Sequence, residues 1–345
     1  MAREALEKSS SESTGLREHE SGDSEQSEDL KGAKHTLGFF DVVVLRVLGY
    51  PGQLLCSLSI AFAQITTVIA YLDTISDSIE SYVLQGQRSI VLALIGAVVA
   101  SLSTVKTLTG VSYLSLMGLL TYLVIFIALV VEAFRYGFDG TLGDSTKALR
   151  ASGRDYGTWF GISAFAFGGF AIAVVVYDDM KEPRHFYRVV SMTYLAVWLF
   201  YTAFALLGYF CYGEHTDEVI YFNFPDNSAL KQICVASVCV VLLLTYVVQM
   251  MPVYSWAESF SKDIMHYAVV RGIIVLLTLV IALFVRNLVL TITIGGAVAS
   301  AVSSFVLPPV AYLIVQPRAH WTEWVLAVGL VVLGVGGAVH SIITV

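Results

Sequence analysis

Residues 158–188 read TWFGISAFAFGGFAIAVVVYDDMKEPRHFYR. The first part is an apolar run of spanning length, and it is interrupted near its middle by Gly168 and Gly169. It ends abruptly on Asp178, Asp179, Lys181, Glu182 and Pro183. Adjacent glycines weaken a helix by about 1 kcal/mol each relative to alanine, and they let the backbone open. Inside a bilayer, open backbone persists only where protein or a water-filled cavity satisfies it. Broken helices of this kind aim half-helix ends and bare carbonyls at the substrates of transporters. The commoner role of intramembrane glycine is close helix packing, so the pair alone does not decide between the two.

Composition sets the environment. Apolar residues make up 57% of the 345-residue chain and charged residues 14%, against about 45–50% and about 25% in soluble domains. The mean hydropathy is +0.74. The chain therefore reads as all-α and polytopic, with the lipid bilayer as its surroundings. The net charge of −7 is concentrated in the N-terminal tail and speaks against nucleic acid. Cys56, Cys211, Cys234 and Cys239 lie in or beside apolar runs, without the spacing of a zinc site or a disulfide framework. They read as packing residues. The pattern of a cleavable signal peptide is absent.

Residues 1–35 hold nine acidic and five basic residues and too few apolar ones to form a core, so they read as a disordered cytosolic tail. The segment 36–51 is apolar but short and carries Asp41 and Arg46, which suits an interfacial or re-entrant piece. The transmembrane domain is placed at 52–345. Crossing the hydrocarbon takes about 20 apolar residues, and nine runs qualify: 52–72, 89–105, 110–131, 158–177, 189–212, 232–254, 267–285, 288–315 and 324–345. Continuous rather than alternating apolarity excludes a transmembrane barrel. Arg271 lies one turn inside its run and is expected to snorkel to the headgroups. From Lys31 onward, ten Lys and Arg fall on the tail side and seven opposite, favouring a cytosolic N-terminus. His340 is the clearest ionisable group within a run.

Enzyme motifs are missing: there is no HExxH, GxxxxGK[ST] or GxSxG. No run carries a lysine suited to a Schiff base, and no ring of charge suggests a channel filter.

Three stretches, in order and correctly spaced, resemble the amino acid/auxin permease family of the amino acid–polyamine–organocation superfamily. They are SAFAFGGFAIAVVVYDDMKEPRHF, GYFCYGEHTDEVIYFNFP and TIGGAVASAVSSFVLPPVAYL. The first is similar to the family's broken sixth helix and the loop after it. The second is similar to the end of its seventh helix, and the third to its small-residue tenth helix. The resemblance implies a LeuT-like bundle of inverted repeats that carries an amino acid by alternating access, coupled to a proton or sodium gradient and using no other cofactor. It places the substrate at the sixth-helix break, at Ser163, Phe165, Ala166, Phe167, Gly168 and Gly169. Phe165 and Phe167 would shape the side-chain pocket there. The third helix would offer Gln64 and Tyr71 and the eighth Thr245 and Gln249, or these four would serve hydrogen bonds between helices. Two departures accompany the likeness. Many members have Glu where this chain has Gly168, and the family's first two helices have no counterpart here. The transmembrane domain is thus expected to be N-terminally incomplete, and a truncated, non-transporting regulatory or sensing protein is the alternative. Neither the substrate, the oligomeric state nor the choice between plasma and vacuolar or lysosomal membrane follows from the sequence.

Overall fold

The computed structural model describes residues 39–82, 86–103, 111–136, 153–168, 180, 182–258, 264–316 and 318–344. They form helices α1 (Phe39–Tyr82), α2 (Arg88–Ser103), α3 (Val111–Tyr136), α4 (Gly153–Ala166) and α5 (Phe186–Tyr212). After a loop with two short 3₁₀ turns follow α6 (Ala229–Glu258), α7 (Ile264–Phe284) and α8 (Leu288–Gly295). Two π-helical turns, Gly296–Ser300 and Val302–Val306, then lead into α9 (Leu307–Val315), and α10 (Trp321–Thr344) closes the bundle. Seven helical stretches among the described residues are long and apolar enough to cross a membrane, and Arg88–Ser103 is a shorter apolar helix. The protein is an all-α, multi-pass integral membrane protein. The acidic tail and the second half of the 158–177 run lie outside the described residues.

One span departs from its expected boundaries and another keeps them but changes its winding, each for a local reason. Phe39–Tyr82 is two helices joined across a kink, and the second of them continues past Leu72. The kink is at Gly49, with φ 70° and ψ −171°, a conformation that glycine adopts without penalty. Pro51 restarts the helix two residues later, in a first turn where its missing N–H costs nothing. At the other end, polarity ends the apolar run but not the helix. Asp73 is 1% exposed and ion-paired with Arg88 of α2, which also pairs with Asp77. The 288–315 run, expected as one span, widens into π turns directly before Pro308 and Pro309. Two successive residues without N–H donors cannot continue the α-helical hydrogen-bond ladder, and a wider turn accommodates the gap.

The expectation for Arg271 is corrected. Its guanidinium is buried and does not reach toward headgroups: it binds Glu258, donates to the Ser103 carbonyl at 2.7 Å, and lies over the Tyr254 ring at 5.1 Å. A cation with these partners has its donors met inside the protein, which removes the reason to snorkel.

α1 is the axis of the bundle. Val68, Leu72 and Ile75 follow a helical i, i+4, i+7 stripe and pack with Val91, Ile95 and Val99 of α2 and Leu242, Tyr246 and Met250 of α6. A second cluster joins Ile125 and Leu129 of α3 to Tyr221 and Phe224 of the 213–228 loop and Cys234 of α6. Cys56 and Cys234 are buried and packed among apolar neighbours, as their setting in the sequence suggested. Outward faces are apolar, with Leu195, Trp198 and Leu199 of α5 and Val332 and Leu333 of α10 exposed.

Polar ties between helix ends define two faces. Ser78 meets Tyr221 at 2.9 Å, Ser228 donates to Glu132 at 3.4 Å, and Arg88 donates to the Ala282 carbonyl at 3.4 Å. The end of α1, the start of α2, the end of α3, the 213–228 loop and the end of α7 therefore share one face. The Ser103–Tyr254–Glu258–Arg271 group gathers the opposite ends of α2, α6 and α7.

Candidate functional site

α4 stops at Ala166, in the middle of an apolar run. Phe167 N donates to the Ser163 carbonyl at 3.1 Å, keeping helical register, but Gly168 N donates to Phe165 O at 3.1 Å, one residue tighter. This is a helix C-terminus held inside the membrane domain. Its place is set by an uncommonly close junction with the π-helical segment. A Cβ on Gly296 would lie 1.8 Å from the Gly161 carbonyl oxygen, and one on Gly161 would lie 2.6 Å from that of Thr293. Gly295 faces Thr66 of α1 as closely, at 2.5 Å from its hydroxyl. A Cβ on Gly168 would lie 2.8 Å from the Ser300 hydroxyl. At position 168, the structure thus unites the two meanings of an intramembrane glycine: it ends a helix and it packs one.

Beside this helix end lies a cavity of about 360 Å³, bounded by α1, α3, α4, α5, α6, α8 and the 213–228 loop. Its aromatic walls are Tyr71, Tyr122, Phe165, Phe200, Tyr201 and Phe204. Tyr221 of the loop adds a further ring, and its phenol is shifted upward in pKa by burial. Aliphatic side chains such as Leu242, Leu288 and Ile292 and the hydroxyl-bearing Thr74 add to the lining, and Glu218 is its one charged residue among the described residues.

The residues expected at the site separate into three groups. Tyr71 and Phe165 line the cavity, and Phe167 stands behind it, edge-on to Tyr201 at 5.6 Å between ring centroids. Thr245 and Gln249 serve contacts between helices. Gln249 Nε2 donates to the Tyr71 hydroxyl at 3.4 Å, Thr245 approaches the same hydroxyl, and its own proton goes back to the Val241 carbonyl at 2.7 Å. Tyr71 therefore joins the two groups, with its ring in the wall and its hydroxyl in the α1–α6 tie. Ser163, Ala166, Gly168 and Gln64 are not part of the lining, although Ser163 and Gly168 make the helix end. Gly169 lies outside the described residues. The reading of polar residues within spans passed over Tyr122, Phe200, Tyr201, Phe204 and Glu218. A signal was present for Phe200 and Phe204, which stand one helical turn apart and pack on Phe126 at 5.2 and 6.2 Å.

Buried charge also escaped the sequence reading. Glu132 is 2% exposed, with Oε1 accepting from Ser228 and Oε2 unpartnered among the described residues. His340, singled out from the sequence, is exposed on α10. No group of three His, Cys, Asp or Glu side chains among the described residues could hold a metal ion.

Known proteins are similar to this sequence. Residues 23–345 match the family described as transmembrane amino acid transporter protein. Among similar proteins of Arabidopsis thaliana, amino acid transporter AVT3C is 29% identical over 182 residues, 52% of this chain and 42% of the relative. Amino acid transporter AVT3B is 26% identical over 240 residues, 68% of this chain and 56% of the relative. Amino acid transporter ANT1 is 24% identical over 247 residues, covering 70% and 55%. The chain spans about half the length of these relatives. With 323 of its 345 residues inside the match, the chain belongs to the transmembrane amino acid transporter family.

Proposed function

We propose that this chain forms the substrate path of a secondary active amino acid transporter, driven by a proton or sodium gradient and working by alternating access. The observation that carries the reading is the end of α4 at Phe167–Gly168, fixed against the π-helical turns and next to a cavity large enough for a small molecule. A helix C-terminus presents carbonyl oxygens and the negative end of the helix dipole, which suits the ammonium group of an amino acid. The names of the relatives, each an amino acid transporter, support the same cargo. Helices α4 and α8, joined by close glycine contacts, form the pair best suited to move against α1 as the site opens to one face and then the other.

Reconstitution of the purified chain into liposomes tests this. An imposed proton or sodium gradient is expected to drive accumulation of a radiolabelled amino acid, with collapse on adding an ionophore. Flux that merely equilibrates would remove the coupling, and no uptake of any amino acid above protein-free liposomes would overturn the reading.

A further inference from the structure

Three buried polar atoms without partners gather where the end of α1 meets α2. Among the described residues, Asp73 Oδ2, Ser76 Oγ and Arg88 Nε make no hydrogen bond, and all three residues are more than nine-tenths buried. Asp73 and Ser76 stand three positions apart, on one face of α1, and Arg88 binds the other oxygen of Asp73. We infer that this group is where the driving proton binds, with Asp73 as its carrier. The assignment rests on the chain being a gradient-driven transporter.

The charge balance there is uneven. Asp77 of α1, Arg88 of α2 and Glu218 of the 213–228 loop are the charged groups whose fields reach Asp73, so three carboxylates face one guanidinium. α7 contributes the Ala282 carbonyl to Arg88. Tyr221 of the loop and Cys239 of α6 meet Ser78, two residues beyond Ser76. A buried carboxylate oxygen with no donor carries its charge at a cost. A proton on Oδ2 removes that charge and leaves Oδ1 with Arg88. The Ser76 hydroxyl suits both states, as a donor to a carboxylate and an acceptor from an acid. A metal ion fits less well, because the guanidinium beside the free oxygen repels it. Ionisable groups of this kind inside membrane helices mark proton relays.

The position gives the proton both a way in and an effect. Asp77 is 45% exposed and holds the same guanidinium, so solvent on the 213–228 face reaches the far side of the ion-paired group. Toward the interior, Ala70, Tyr71 and Thr74 of the same stretch of α1 line the cavity, as does Glu218. Neutralising Asp73 leaves Asp77 as the charged partner of Arg88 and weakens the tie of α1 to α2 and α7. Cavity and proton site thus share a helix segment and a loop carboxylate. By linkage, a substrate that changes the affinity for this proton has its own affinity changed by the proton by the same factor.

Two measurements on the purified full chain test this. Infrared difference spectra between high and low pH read proton uptake by carboxylates, whether or not the chain transports. Wild type is expected to show a protonated-carboxyl band that Asp73→Asn lacks and that Asp73→Glu moves in frequency. An identical band in Asp73→Asn would overturn the assignment. Should Asp73→Asn fail to fold, a band unmoved in Asp73→Glu would do the same. In liposomes, an inward proton gradient is expected to drive accumulation of a radiolabelled amino acid mixture by wild type and by Asp73→Glu. Asp73→Asn keeps an oxygen for Arg88, as the neutral acid does, but cannot release a proton. It is expected to lose accumulation and to retain exchange of labelled for unlabelled amino acid. Undiminished proton-driven accumulation in Asp73→Asn would overturn the proposal, as would wild-type accumulation driven by sodium at uniform pH and indifferent to a proton gradient. Absence of all transport in wild type would overturn the transporter reading itself, and the infrared spectra would still decide whether Asp73 binds a proton.

Discussion

Arg88 and Asp73 are costly residues to bury. Arg88 is 5% exposed and Asp73 1%, so both have lost water, and the pair holds the end of α1 to α2 and, through the Ala282 carbonyl, to α7. Breaking a buried pair leaves an uncompensated charge, worth about 3–5 kcal/mol. Because Asp77 still partners Arg88, Asp73→Ala is expected at the low end, about 3 kcal/mol. The double variant Asp73→Ala, Arg88→Met should recover most of that loss in thermal unfolding in detergent. A double variant less stable than the single one would mean that the pair contributes net stability. Glu132 makes the complementary case. Glu132→Gln keeps an acceptor for Ser228 and removes a buried charge, so it should unfold within about 1 kcal/mol of the parent. A larger loss would show that the carboxylate's charge is itself required.

At the scale of elements, the junction of α4 with α8 and the π turns decides where the broken helix ends. With 1.8 Å between a Cβ on Gly296 and the Gly161 carbonyl, no rotamer relieves an alanine there and the backbones must part. Gly296→Ala is expected to cost about 1–3 kcal/mol or more and to abolish amino acid binding. Gly329, with open space around its Cα in α10, is the control: alanine there should be neutral or stabilising by about 1 kcal/mol. Equal effects at both positions, measured by thermal unfolding and binding together, would refute the close-contact account. The glycines and serines of 293–304 were visible in the sequence as a small-residue helix, and Gly168–Gly169 as an interruption. What single-sequence patterning could not supply was the pairing of Gly161 with Gly296, since nothing local marks two glycines 135 positions apart as neighbours. The extension of α1 beyond Leu72 was hidden for a similar reason, because Asp73 becomes compatible with burial only once Arg88 is opposite it.

For the whole molecule, most of the membrane architecture was legible because hydrocarbon thickness imposes a length that continuous apolar runs reveal. The cavity was less so. Its walls come from six helices and a loop, and polar residues within spans drew attention in the sequence, whereas the lining is chiefly aromatic. Polar Thr245 and Gln249 proved to join α6 to α1, the other role such residues take in membranes. The hydrogen bonds between helix ends also give the bundle a sidedness that can be tested. Cysteines placed at Asp217, in the loop beside Tyr221, and at Trp256, beside the Arg271–Glu258 pair, are expected to react with an impermeant thiol reagent from opposite faces of the membrane. Labelling of both from one face would contradict the arrangement.

An amino acid that occupies the aromatic chamber beside the broken helix must shield the chamber wall, and ligand protection of a cysteine placed there reads this out. Val238 lines the chamber and Val240, two residues on in α6, faces outward at 48% exposed. With Cys56, Cys211, Cys234 and Cys239 replaced by serine or alanine, Val238→Cys and Val240→Cys are each exposed to a membrane-permeant thiol reagent with and without a mixture of the common amino acids. The mixture is expected to slow modification at position 238 severalfold and to leave position 240 unchanged. Equal rates at position 238 with and without the mixture would contradict occupancy of the chamber.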